Sequence, residues 1–151
     1  MDPGFGLIFS KYNKALKQRN ALLRTPAPAE KDLIPWDELL FKYAMELTHI
    51  RREWLKSFWP IIKNNIKLLL GEEIINHDLA IEFDPGFNEE GFLSQLRSLR
   101  KLEVIKKNTL VGAHRADLKF SIAGASIKHV LSRGQTKMLI CGIIYAQILS
   151  L

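Results

Sequence analysis

A single cysteine, Cys141, occurs in the 151 residues, and that scarcity removes two classes at once. No disulfide can close within the chain, and no multi-cysteine zinc site can be built. Cys141 sits in the apolar run 138–144, a setting that predicts a buried small hydrophobe. None of the nine glycines is followed by lysine, so the Gly-x-x-x-x-Gly-Lys-Ser/Thr loop is missing. The chain therefore has no cradle of its own for a triphosphate. Long apolar runs are lacking too. Residues 138–151 are interrupted by Gln147 and Ser150 and fall short of the about 20 residues that span a bilayer. The start, Met1-Asp2-Pro3-Gly4, has neither the cationic nor the apolar stretch of a signal peptide. A soluble, cytoplasmic protein with no membrane partner is expected. His49, His77 and His129 share no ligand spacing and Glu72-Glu73 reads as a solvated helix end, so no metal site and no catalytic pair is assigned.

What is present is an ordinary globular composition, 47% hydrophobic and 25% charged, with a basic excess of 22 Lys and Arg over 16 Asp and Glu. That excess would attract polyphosphate by counterion release, and it is equally compatible with a basic protein of no special affinity. Residues 5–24 carry apolar positions at helical spacing, and Thr25-Pro26-Ala27-Pro28 ends the pattern. Leu40, Tyr43, Leu47, Ile50 and Trp54 alternate steps of three and four along a second helix. Asp32 or Asp37 could cap its start, and Pro60 is expected to kink it or to divide it from residues 61–70. The two should lie antiparallel as an arm-like hairpin over residues 1–71, although two helices of an ordinary bundle would show the same spacing.

Residues 72–151 change texture. Strands are expected at 79–83 and 118–122, with a turn at Asp84-Pro85-Gly86, a helix over 89–107 and a short partner strand over 126–130. A helix from Gln135 to residue 149 is apolar nearly all round, which predicts deep burial. Two or three short strands offer that helix too few partners, so the chain is expected to be incomplete or to associate with something. The architecture reads as α+β: a long antiparallel helical hairpin, then a small mixed α/β segment ending in a buried helix.

The residues with most chemical content are Leu131-Ser132-Arg133-Gly134-Gln135, where a small polar residue and a glycine lead directly into that last helix. A helix N-terminus offers unpaired amides and the positive end of the macrodipole, where a phosphate can dock. Ser132 adds a hydroxyl, Gly134 allows close backbone approach, and Arg133 adds charge. A simple helix cap would look the same. His114, Arg115 and Asp117 could sense phosphate or form a structural ion pair. Arg97, Arg100, Lys101, Lys106 and Lys107 form one basic group, and Lys11, Lys14, Lys17 and Arg19 a second. Either could track a phosphate backbone or be a solvated face.

Three ordered blocks connect these features. Leu16-Lys17-Gln18-Arg19-Asn20-Ala21-Leu22-Leu23-Arg24, followed by Trp36-Asp37, is the first. Gly112-Ala113-His114-Arg115-Ala116-Asp117-Leu118 is the second. Leu131 to Gln135, continued by Thr136-Lys137-Met138-Leu139, is the third. In order and spacing they resemble the RecF family, DNA-repair ATPases of the ABC/SMC class, and the third block resembles the ABC signature. The resemblance implies an ABC-type head with a helical arm, ATP-dependent dimerisation, and binding to gapped or junction DNA in recombinational repair beside other mediator proteins. It also implies that Leu131, Ser132, Arg133, Gly134 and Gln135 face ATP held by the Walker A loop of another chain, with Ser132 and the Gly134 amide on the γ-phosphate. ATP and Mg2+ would then come only through that partner. Walker A is missing, and no Walker B aspartate follows the signature helix, so this chain alone is expected not to hydrolyse ATP and no catalytic residue is assigned. Ala113 stands where the family has proline, which puts the local turn in question. Two other readings compete: a non-catalytic helical interaction module, and a stand-alone basic DNA-binding domain.

Overall fold

A computed structural model describes residues 3–70 and 79–148. Helix α1 spans Pro3–Leu23 and helix α2 Glu30–Leu70. Strand β1 (Leu79–Asp84), helix α3 (Phe92–Lys106), a 3-10 turn (Ala113–Arg115), strands β2 (Asp117–Ile122) and β3 (Ala125–Ser126), and helices α4 (Ile127–Val130) and α5 (Arg133–Ile148) follow. The α+β class read from the sequence is what the chain adopts.

These elements pack as two compact units, neither continuous in sequence. The first comprises residues 3–51 and 84–117; the second comprises residues 52–70, 79–83 and 118–148. The boundary expected near residue 71 lies outside the described residues, and the units divide within α2 instead.

In the first unit α1 and the opening of α2 lie antiparallel, since Arg19 late in α1 bonds Asp37 early in α2. Their seam is not that of a bare arm. Tyr12, Ala15, Leu40, Ala44 and Leu47 share one core with Phe87, Phe92, Leu96 and Ala113, so α3 and its flanking loops cover the hairpin. The buried stripe of α2 is Leu33, Asp37, Leu40, Ala44 and Leu47, while Tyr43 and Ile50 are only half-buried. Glu30 and Asp32 occupy the first turn of α2, where carboxylates suit the helix dipole. Asp37 caps nothing; it is buried in an ion-pair network.

Helix α2 runs unbroken through Pro60. The proline removes the one amide that would have bonded four residues back. Burial of Ile62 and Ile66 just beyond it supports the helix across that gap. Helix α3 starts three residues later than expected, because the Asn88 carboxamide accepts the amides of Glu90 and Gly91 and holds them in a turn. It stops at Lys107, which adopts a left-handed conformation (φ 53°) and donates back to the Glu103 and Val104 carbonyls.

In the second unit the sheet order is β1-β2-β3. Strands β2 and β3 are antiparallel, pairing Ser121 with Ser126 and Ile122 with Ala125. Ala123 and Gly124 both have positive φ, as a two-residue hairpin of type I′ requires. The partner strand is shorter than the expected 126–130: Ile127–Val130 turns into helix α4, and Ile127 packs onto the core from there. That core joins Ile62 and Ile66 of α2, Leu79, Ile122, and Leu139 of α5. Among the described residues no helix is long and apolar enough to cross a membrane.

The expectation of deep burial for α5 holds on one face only. Leu139 is 2% exposed and Gly142 is buried, but Ile140, Ile144 and Tyr145 remain about half exposed within this chain. Cys141 is exposed rather than buried. It lies two residues, about 200° of helical rotation, from Leu139, and so on the far side of the packed face.

Candidate functional site

The stretch from Leu131 to Gln135 is the N-terminal cap of α5. Leu131 is extended and packs its side chain against the second core. Ser132 accepts the Gln135 amide on its hydroxyl at 3.3 Å, and the Gln135 carboxamide oxygen accepts the Ser132 amide at 2.9 Å. This reciprocal pair is a capping box. The Ser132 carbonyl accepts both the amide and the hydroxyl of Thr136. Of the donors a helix start leaves open, the amides of Arg133 and Gly134 have no partner among the described residues. Ser132, Arg133 and Gly134 are all exposed. A Cβ added at Gly134 would meet only the Ser132 hydroxyl at 3.9 Å. Nothing inside this chain requires glycine there, and in a helix glycine costs roughly 0.5–1 kcal/mol relative to alanine. A glycine with open space and a free amide suits close approach from outside.

His114, Arg115 and Asp117 do not form one exposed cluster. His114 turns inward: the Tyr12 hydroxyl donates to Nδ1 at 2.7 Å, and Nε2 donates to the Thr109 carbonyl at 3.3 Å. These contacts fit a neutral imidazole protonated on Nε2. Burial holds His114 below its ordinary pKa, and burial likewise pushes the Tyr12 hydroxyl up to about 12. The Tyr12 oxygen also accepts the His114 amide, and Arg51 donates to the Ala113 carbonyl at 2.7 Å. Arg115 and Asp117 face solvent.

The turn questioned for its missing proline forms nonetheless. Gly112 has φ 137°, and a Cβ there would lie 2.6 Å from the Tyr12 oxygen. Gly86, at φ 81°, accepts the Gly112 amide, and a Cβ on it would strike the Arg115 backbone at 2.6 Å. The two glycines, with the Arg51 bond to the Ala113 carbonyl, hold the turn without a proline at 113.

The basic groups divide as well. Arg97, Lys101, Lys106 and Lys107 are exposed, as are Lys11, Lys14 and Lys17. Arg19 and Arg100 are not surface charges. Arg19 is fully buried: Nε donates to Asp37 at 2.6 Å, Nη2 to Glu103 at 2.6 Å and Nη1 to the Thr109 hydroxyl at 2.8 Å. Thr109 passes its own proton to the Asn20 carboxamide oxygen, which also accepts the Thr109 amide. Glu103 uses its second oxygen for the Leu110 amide. Arg100, its side chain 14% exposed, takes the second oxygen of Asp37 at 2.6 Å. Two guanidiniums thus neutralise two carboxylates among α1, α2 and α3. Arg19 and Asn20 come from the first sequence block, whose work here is to join three elements.

Among the described residues no group of His, Cys, Asp or Glu side chains is placed to hold a metal ion.

The α+β chain is similar to RecF proteins in both sequence and fold. No family model matches the chain. It is 33% identical to the DNA replication and repair protein RecF of Acinetobacter baumannii (strain SDF), over 98% of this chain and 41% of that one. It is 33% identical to the RecF of Shewanella amazonensis, over 95% of this chain and 39% of that one. A solved structure of the recombination mediator protein RecF with ATP superimposes with a TM-score of 0.76 at 25% identity, covering 97% of this chain and 41% of that one. In sequence and fold the chain corresponds to part of RecF, spanning about two fifths of the length of the relatives it matches.

Proposed function

We propose that this chain supplies the signature half of an ATP site in a RecF-type recombination protein that binds gapped or junction DNA. The nucleotide and Mg2+ are held by a partner bearing Walker A. The observation that carries the reading is the exposed start of α5. The Arg133 and Gly134 amides have no partner among the described residues, the Ser132 hydroxyl donates to none of them, and Gly134 leaves room for a phosphate to approach. Arg133 adds a positive charge beside them. The exposed lysines of α1 and α3, together with Arg97, provide the phosphate-tracking charge for DNA.

The test is ATP-dependent association with a Walker-A-bearing RecF relative. Wild-type chain should pair more tightly with ATP than without it. Ser132→Arg should lose at least about tenfold in that ATP-dependent part, because the long side chain fills the phosphate approach. Equal association of both proteins would sink the reading.

A further inference from the structure

Helix α1 shows solvent a face of one sign. It contains no Asp or Glu, and Lys11, Lys14 and Lys17 are exposed along it. On the exposed side of α2, by contrast, Glu38 stands four residues before Lys42, so the charges offset each other. A shallow groove of about 460 Å3 runs along the outer face of α1, lined by Phe9, Ser10, Asn13, Lys14, Lys17 and Gln18. These positions recur at steps of three and four, away from the buried Tyr12, Ala15, Arg19 and Leu23. None of the Asn13, Lys14, Lys17 and Gln18 side chains bonds another described residue. At one end of the groove Phe9 is 42% exposed while it stacks on Phe5, ring centroids 5.8 Å apart. Phe5 packs in turn against the first core, which anchors the pair. Gly6 lies one helical turn before Phe9 and Ser10, and a Cβ added there would meet nothing within 4 Å. Packing does not require glycine at that position, and glycine weakens a helix interior. It leaves the backbone beside the ring open to close approach.

We propose that this face of α1 binds the unpaired strand of gapped DNA, with a base stacked on Phe9 and the strand's phosphates on Lys14 and Lys17. The inference rests on the DNA-binding part of the proposed function and names the portion of the DNA that α1 takes. In a duplex each base face is covered by its neighbours. An anchored, exposed ring therefore finds a base to stack on only where the strand is unpaired. An acidic peptide would satisfy the lysines alone. The ring, and the carboxamides of Asn13 and Gln18 with their donors and acceptor, match a nucleobase. From Phe9 to Lys17 the face runs about 12 Å along the helix axis, room for about three nucleotides at roughly 3.4 Å each. Stacking of this kind tolerates any base, as recognition of a gap rather than of a sequence requires.

The experiment is fluorescence anisotropy of labelled DNA titrated with the full chain. One DNA is a duplex interrupted by a gap of about eight unpaired thymidines, the other the same duplex without the gap. Wild type should bind the gapped DNA at least about fivefold more tightly. Phe9→Leu keeps an apolar side chain but no ring face, and should lose that preference with its affinity for the continuous duplex unchanged. Phe9→Trp should keep the preference. On an unpaired oligothymidine, Lys14→Ala and Lys17→Ala should each reduce the slope of log K against log salt by about 0.7. All three positions are exposed, so circular dichroism should show the four variants folded. Equal binding of the two DNAs by wild type overturns the proposal and leaves duplex binding through α3 in place. A preference that Phe9→Leu retains or Phe9→Trp loses also overturns it, as do unchanged salt slopes in both lysine variants. Absence of binding to either DNA overturns it together with the DNA-binding part of the proposed function.

Discussion

Replacing Arg19 with methionine should unfold the first unit far more readily than any other single exposed-looking basic residue. The side chain has no solvent exposure and makes three directed bonds, two of them to carboxylates at 2.6 Å. Methionine fills similar volume but leaves Glu103 buried with only the Leu110 amide, while Asp37 keeps Arg100. Removing one partner of a buried pair costs about 3–5 kcal/mol, chiefly from the uncompensated charge. For a chain of this length each kcal/mol shifts Tm by about 2–4 °C, so the melt should fall by roughly 6–20 °C. Lys14→Met, on the exposed face of the same helix, should stay within about 0.5 kcal/mol. Arg19→Lys keeps the charge but cannot reproduce the three-pronged geometry and should fall between. Urea denaturation read by tryptophan fluorescence and circular dichroism gives the comparison. An Arg19→Met loss below about 1 kcal/mol would refute the account of the network.

Other outcomes follow from the same geometry. Gly86→Ala should cost more than about 1–3 kcal/mol, because it combines positive φ with a backbone clash, whereas Gly134→Ala should leave the melt unchanged or raise it slightly. Burial lowers the His114 pKa in the fold, so between that value and 6.5 the unfolded chain binds the extra proton. Stability from this group is therefore complete above about pH 6.5 and is lost as pH falls towards the folded value. Urea titrations from pH 8 to 5 should show that slope in wild type and its absence in His114→Gln. Binding to gapped duplex should weaken steeply with salt. Lys101→Ala should reduce the slope of log K against log salt by about 0.9 if it meets one phosphate, while Arg100→Ala should show its effect in the melt instead.

The four longer helices, the first and central strands and the capped start of α5 were legible because periodicity and turn residues encode them locally. The buried network was missed, although its signal is present. Arg19 falls on the seam of Tyr12, Ala15 and Leu23 in α1, Asp37 on the seam of Leu33, Leu40 and Ala44 in α2, and Glu103 on the seam of Phe92 and Leu96 in α3. Three charges, each intruding on an apolar stripe and complementary in sign, are a readable pattern. Spacing along one helix at a time hides it, because the charges pair only across elements, 18 and 84 residues apart. Cys141 was misplaced for a related reason. An apolar helix reads as buried on every side, and which side stays open depends on tertiary neighbours that a run of letters does not show. Of the two outcomes expected at Pro60, a kink or a division of α2, division does not occur, because one missing amide is a small loss in a 41-residue helix packed on both sides of it.

The most direct measurement for the central claim is photo-crosslinking with ATP that carries a photoreactive group on its γ-phosphate. The nucleotide is loaded onto a Walker-A-bearing RecF partner and mixed with this chain. Mass spectrometry should place the label on the peptide containing Ser132 to Gln135, and the label should vanish when the partner's Walker A lysine is replaced. Label elsewhere on the chain, or label that survives loss of the partner's Walker A, would contradict the account.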